Sequence, residues 1–291
     1  MPLFRRSDGS PVGGLPALRR IMPYVMRGRN ESAVYVETRF DVSRARKWLW
    51  AYNRAGGGEP CTFLHLFLYG LRSVHREYPE LDRFVSGRTI YQRIVPSISL
   101  VVKESLDAHS PSYTVKLPLA DAGEALAAYS KRIAEIIRNA REHQERTERE
   151  MTLLLRLPGW LVRVVMWLRD RVDEVNLLPF ALIRDDPLYT SIFVANLGSL
   201  GLPDTYHHLY EYGTCSVFAV IAALQKTPVT DWDGTSEIRE ILPVRWTIDD
   251  RVADGFTCAA AFRLVQEYME DPAKAFGAPE EAARGKQPVT A

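Results

Sequence analysis

Three groups of residues in this chain have the types and spacing to do chemistry. In Asp249-Asp250-Arg251-Val252-Ala253-Asp254-Gly255, the carboxylates of Asp250 and Asp254 stand four residues apart. A carboxylate can serve as a general base once burial raises its pKa toward working pH. In Tyr206-His207-His208-Leu209-Tyr210, His208 is a candidate base, because imidazole titrates near neutrality. In Phe193-Val194-Ala195-Asn196-Leu197-Gly198, Asn196 offers an amide while Ala195 offers no donor. Structural alternatives stand beside these readings. Asp250 can form a salt bridge with an arginine of a neighbouring subunit, and His207 and His208 can be packing or interface residues. His65, His75, His109 and His143 have no partner spacing and read as structural or exposed. Cys61, Cys215 and Cys258 show neither metal-ligand nor disulfide spacing, which fits buried thiols in a reducing cytoplasm; no metal site is expected.

These groups need elements to hold them. Ser32 to Phe40 alternates with period two, with Val34, Val36, Thr38 and Phe40 on one side, as in a half-buried strand. Asp41 or Ser43 caps a helix through Trp48 and Trp50, which a turn at Gly56, Gly57 and Gly58 ends. Thr62 to Arg76 has the apolar spacing of a second helix. Ile94 to Val102 and Ser112 to Leu117 read as strands. Asp121 followed by Glu124 resembles a capping box opening a long helix through Ile133, Ile136, Ile137 and Ala140. The stretch from Arg141 to Glu150 reads as densely charged and solvated. Ser191 to Asn196, Cys215 to Leu224 and Ile238 to Ile248 are further strands, the second apolar on both faces and so central. A helix over Cys258 to Met269 closes the domain. The class is α+β with a mixed sheet.

The 291 residues suit one large domain with tails. An apolar share of 46%, a charged share of 25% and a net charge of +1 are ordinary for a globular protein and give no nucleic-acid surface. Residues 1–18, rich in Gly, Pro and basic residues, are expected to be a flexible N-terminal arm, and 272–291 a disordered tail. No signal peptide is expected after Arg5 and Arg6, and the cytoplasm is the expected location. The most apolar stretch, Leu153 to Leu168, is interrupted by Arg156, Pro158 and Arg163, so no transmembrane helix is expected.

The segment 249–255 resembles the Asp-His-Arg-Val-x-Asp-Gly signature of the dihydrolipoyl acyltransferases of 2-oxo acid dehydrogenase complexes. It departs from it only at Asp250, which stands at the position of the catalytic histidine. Phe193 to Gly198 resembles that family's Thr-Ile-Ser-Asn-Leu-Gly, with Ala195 at the serine position. Arg19, Met22, Pro23 and Met26 resemble its N-terminal helix. The matches run in order over residues 19–271, within which 151–186 is an insertion. The resemblance implies the two-layer sandwich of chloramphenicol acetyltransferase, a trimer with the active site between subunits, and in some members a hollow cage.

In that family the histidine takes a proton from a thiol of coenzyme A or dihydrolipoamide, and the serine donates to the oxyanion. An aspartate near pKa 3.9 is a weaker base than imidazole near 6.5 by about 2.6 units, or about 3.5 kcal/mol. Loss of one oxyanion donor typically costs about 100- to 1000-fold in rate. The resemblance therefore implies a stand-alone acyltransferase-like domain with an impaired site, acting as a scaffold or binding an acyl-coenzyme A-type ligand. The alternative is an active coenzyme A-dependent acyltransferase with Asp250 or His208 as a rearranged base. Asp254 is expected to pair with Arg19 as structural support. Ala195, Asn196 and Asp250 are the degenerate site positions. No Asp-Lys-Ala lipoylation site is present; no required cofactor is expected, and no lipoyl domain is expected within residues 1–18. Helix 160–175 is apolar on most sides. It is expected to be buried in the core or a subunit interface. A docking helix for another protein and, less favoured, an interfacial membrane helix kept open by Arg163, Arg169 and Arg171 are the alternatives.

Overall fold

Period-two alternation sorts the strand side chains onto two faces, and the helices cover only one of them. The computed structural model describes residues 4–56, 59–103, 112–121, 123–203 and 205–285. Gly57, Gly58 and His109 lie outside the described residues, as do the side chains of the Arg141 to Glu150 stretch, His143 included. Strand β1 (Gly9–Pro11) and helix α1 (Ala17–Val25) precede β2 (Ala33–Asp41), α2 (Ser43–Arg54) and α3 (Phe63–Glu77). Strands β3 (Arg83–Ser86), β4 (Thr89–Arg93), β5 (Ser97–Lys103) and β6 (Ser112–Pro118) follow. Helices α4 (Leu126–Leu155), α5 (Gly159–Glu174) and α6 (Phe180–Arg184) lead to β7 (Ile192–Asn196), β8 (Val217–Ile221), β9 (Gln225–Thr230) and β10 (Ser236–Asp249). Helices α7 (Gly255–Glu270), α8 (Pro272–Phe276) and α9 (Pro279–Ala283) end the described chain.

The main sheet runs β2-β10-β8-β7-β5-β6, with β9 paired to the first half of β10. Strands β5, β7 and β8 are parallel neighbours and the other pairs are antiparallel, so the sheet is mixed. This is the expected α+β sandwich. On the helical face, Ile192, Val194, Val217, Ala219, Val244 and Trp246 join the main core. Trp246 packs between Phe67 of α3 and Phe262 of α7, with ring centroids 5.6 and 4.7 Å away. On the other face, Phe193, Ala195, Phe218 and Val220 form a smaller cluster with Leu209 and Cys215.

Several expectations need correction. The segment before residue 18 is not a free arm. Its β1 edges a small sheet ordered β1-β4-β3, and Arg6 is buried. The Arg6 guanidinium bonds Asp8 at 2.5 Å, Asp173 of α5 at 3.0 Å and Ser86 Oγ at 2.9 Å, and lies over the Phe84 ring. A composition rich in Gly and Arg cannot reveal partners 167 residues away. The chain beyond 271 is not wholly a tail either. Phe276, Ala282 and Ala283 are buried in the core, and the Phe276 ring sits 5.2 Å from Tyr69 and 5.5 Å from Tyr268. Asp121 and Glu124 form a turn, the Asp121 N–H donating to the Glu124 carboxylate at 3.0 Å, and α4 begins only at Leu126. Strands β3, β4 and β9 were not legible, being short or built from polar residues. Among the described residues no helix is long and apolar enough to cross a membrane. The apolar stripe of α5 is exposed, not buried, with Trp160 at 66% and Trp167 at 61%.

Phe276→Ala should lower the unfolding free energy by about 3–5 kcal/mol, as for other buried aromatics, in urea denaturation followed by circular dichroism. A loss of a few tenths would show that this segment does not support the core.

Candidate functional site

The turn from β10 into α7 is built around a buried ion pair. Asp249, fully buried, accepts two guanidinium bonds from Arg251, at 2.8 and 2.7 Å, and one from Ser32 Oγ at 2.9 Å. Arg251 Nη1 then donates to the carbonyls of Met26 and Arg27 at 3.1 and 3.2 Å. The next residue is clamped through its backbone. The Asp250 N–H donates to the Ser32 carbonyl at 2.9 Å, and Arg19 Nη1 donates to the Asp250 carbonyl at 2.7 Å. Asp250 thereby lines a groove between β2, β10 and α7 whose walls are Val34, Val36, Ile248, Ala259 and Phe262. Its carboxylate makes no hydrogen bond or ion pair among the described residues. Cys258 shares the groove, and burial, aided by Asp254 and Asp250, pushes its thiol up to about 11. That thiol is protonated and unreactive near neutrality.

The expected pairing of Arg19 with Asp254 is corrected. The arginine is spent on the Asp250 carbonyl, and no ion pair joins it to Asp254. Asp254 instead caps α7, accepting the Thr257 N–H at 2.8 Å. That bond, with a smaller pull from Arg19, holds the Asp254 carboxylate below its usual range. The buried Asp–Arg pair of this turn is Asp249 with Arg251, which sequence reasoning passed over. The only sequence signal was an acid and an arginine two positions apart at a strand end. Gly255 has open space where a Cβ would sit, so nothing within the chain demands a glycine there.

Ala195 lies on the opposite face of the sheet. It is buried in the cluster of Phe193, Leu209 and Phe218, against which Tyr210 packs. The Asn196 carbonyl accepts from Ser199 Oγ at 2.8 Å. A Cβ on Gly198 would come within 2.5 Å of the Ala222 carbonyl, which explains the glycine of this turn. His207 stacks on Phe218 at 4.0 Å and on His208 at 4.6 Å, and its carbonyl accepts from Thr247 Oγ1 at 2.6 Å. Burial lowers the His207 pKa, keeping the ring neutral. His208 is exposed and belongs to the Ala195 side.

The strand register pairs Ala195 with Val220 and Val220 with Arg245, five residues before Asp250. Two interstrand steps and five residues of rise put Ala195 and Asp250 about 19 Å apart. One copy of the chain does not bring them together. Among the described residues no group of three His, Cys, Asp or Glu side chains is placed to hold a metal.

The fold is that of chloramphenicol acetyltransferase and of dihydrolipoamide acetyltransferase cores. A chloramphenicol acetyltransferase superposes with a TM-score of 0.55 at 13% identity, over 90% of this chain and 100% of its own. A probable dihydrolipoamide acetyltransferase from Listeria monocytogenes superposes at 0.56 and 13% identity, over 97% and 98%. The dihydrolipoamide acetyltransferase of Azotobacter vinelandii does so at 0.57 and 16%, over 90% and 93%. In that enzyme a serine, a histidine and an asparagine four residues beyond the histidine were studied for their catalytic roles. In sequence, residues 183–277 match the family described as 2-oxoacid dehydrogenases acyltransferase (catalytic domain), which spans β7 to α8 and includes Ala195, Asp250 and Asp254. No curated protein matches the chain in sequence.

Asp249→Ala should cost about 3–5 kcal/mol of stability, because it leaves Arg251 buried without its partner; chemical denaturation checks this, and a cost below about 1 kcal/mol would remove the pair from its structural role. Asp254→Ala should cost about 1 kcal/mol near neutrality through the lost cap. The folded-state pKa of Asp254 is depressed, so its contribution is present above about pH 3.9 and is lost as pH falls through the lower folded value. The gap between wild type and Asp254→Ala, read from thermal melts, should therefore close on acidification below about pH 4.

Proposed function

We propose that this chain is an oligomeric acyltransferase-type core that binds an acyl-coenzyme A-type thioester without efficient thiol activation. The observation that carries this reading is Asp250, which brings a carboxylate, not an imidazole, to the apolar groove beside α7. Such a group is a poor acceptor for a thiol proton and repels the thiolate that must form. The buried Ala195 supports the reading, since the opposite face has no hydroxyl at that position to meet an oxyanion. The separation of the two positions favours assembly, because a composite site needs Asp250 from one copy and Ala195 from another. A structure of similar fold is the cubic core of a pyruvate dehydrogenase multienzyme complex; a trimer or a larger cage is the corresponding proposal here. Three free, buried cysteines suit a reducing cytoplasm.

An active enzyme with a rearranged base is the second reading. The stacked His207 and His208 beside the Ala195 cluster favour it, because His208 is exposed there and free to meet a second copy.

Thiol release from acetyl-coenzyme A by the purified protein tests both. The first reading expects no release above background, stabilisation in thermal melts by coenzyme A, and a gain of about 100-fold or more in Asp250→His with Ala195→Ser. Turnover by the wild type that falls in His208→Ala or Asp250→Ala would overturn it in favour of the second.

A further inference from the structure

Helix α5 leaves much of its apolar surface uncovered. Ordinary surface helices bury an apolar stripe and show water a polar one. Here the inward side mixes half-buried Leu161, Val162, Met166 and Val172 with two charges, half-buried Arg169 and buried Asp173. Asp173 meets Arg6 at 3.0 Å and Tyr189 at 2.9 Å, and Arg169 meets Asp186 at 3.5 Å and the Tyr189 hydroxyl at 3.0 Å. The outward stripe is apolar: Trp160, Val164, Trp167 and Leu168 follow the i, i+4, i+7, i+8 spacing and are 66, 49, 61 and 53% exposed. The end of α4 continues this surface. Leu153 and Leu155 point to opposite sides of their helix, about 200° apart, yet are 65 and 71% exposed. Both sides being open means that this end stands clear of the body.

The charges around the tip are biased. Each acid of residues 156–186 is engaged: Asp170 and Asp186 with Arg169, Asp173 with Arg6, Glu174 with Arg171, and Asp185 with Arg184. Arg156 and Arg163, which flank Trp160, make no ion pair or hydrogen bond through their side chains among the described residues. The tip thus presents two tryptophans, leucine and valine, with unpaired positive charge at their edge. That combination complements the anionic headgroups and acyl boundary of a phospholipid surface.

We propose that the α4–α5 tip docks this protein on anionic phospholipid membranes, seating Leu155, Trp160, Val164, Trp167 and Leu168 at the headgroup boundary while Arg156 and Arg163 contact lipid phosphates. The helix lies on the surface and does not cross it. This inference does not depend on the acyltransferase reading, and it takes up the interfacial alternative for α5 in place of burial in the core.

The test is co-sedimentation of the full chain with phosphatidylcholine vesicles, with and without phosphatidylglycerol, alongside tryptophan emission and static light scattering. Binding is expected only with phosphatidylglycerol, with a blue shift, and weakening as salt rises. Arg156→Glu with Arg163→Glu should weaken it about tenfold or more. Trp160→Ser with Trp167→Ser should abolish both binding and the shift while circular dichroism stays unchanged, since these side chains are exposed. No binding to anionic vesicles overturns the proposal. So does binding that survives the tryptophan substitutions, which would place it elsewhere. A fall in particle mass in the tryptophan variant, without vesicle binding by the wild type, overturns it in favour of contact between copies.

Discussion

Asp249 and Arg251 are both withdrawn from water at the end of β10, and that burial forces the groups around them into place. A buried carboxylate and guanidinium are tolerated only when their hydrogen-bonding capacity is met. Asp249 takes the fork of Arg251 and the Ser32 hydroxyl, and Arg251 has donors left over that find the carbonyls of Met26 and Arg27. The pair therefore ties three segments together: the strand end, the start of β2 and the link from α1. Everything at the groove follows. Asp250 can only hang between the Ser32 carbonyl and Arg19, and Asp254 arrives four residues later in position to cap α7.

A second buried arginine extends the same logic to the far face. Arg29 donates to the carbonyls of Tyr210, Glu211 and Val85, while the Glu211 carboxylate accepts the backbone N–H groups of Arg29 and Asn30 at 3.0 Å. The loop carrying His207 and His208 is thus fastened to the same link from α1 that Arg251 holds. The two faces of the sheet share one anchor yet keep the two candidate positions apart. Asp250 lies on the helical side at the β2 edge, and Ala195 sits with Leu209 on the other. Chemistry that needs both positions has to be completed between copies of the chain.

The α5–α6 segment obeys a different constraint. Its contacts with the body run from Arg6 through Asp173 to Tyr189 and Arg169, with Val172 packed on the small cluster of Leu178, Ile183 and Tyr189 beside them. Polar anchoring of this kind fixes the orientation of α5 without using its tryptophans. Those side chains are left available to whatever covers them, and the N-terminal segment around Arg6 is held in place for the same purpose.

The sequence by itself determined the strands that alternate, the long helices, the mixed sheet they form, and the ordered motifs from Arg19 to Gly255 that mark the fold. These are local properties, written in the spacing of apolar residues within a dozen positions. It also carries the resemblance in which Asp250 and Ala195 stand against a histidine and a serine, because that comparison runs inside contiguous motifs. Only the tertiary structure decided what each charged residue meets. Arg19 ends on a backbone carbonyl and not on Asp254; Arg6 finds Asp173; Ser32 finds Asp249 across 217 residues. Only it decided that the outward stripe of α5 is the apolar one. Helical spacing shows that a helix has distinct faces, but which face turns inward depends on whether buried partners such as Arg6 and Tyr189 are waiting for its charges.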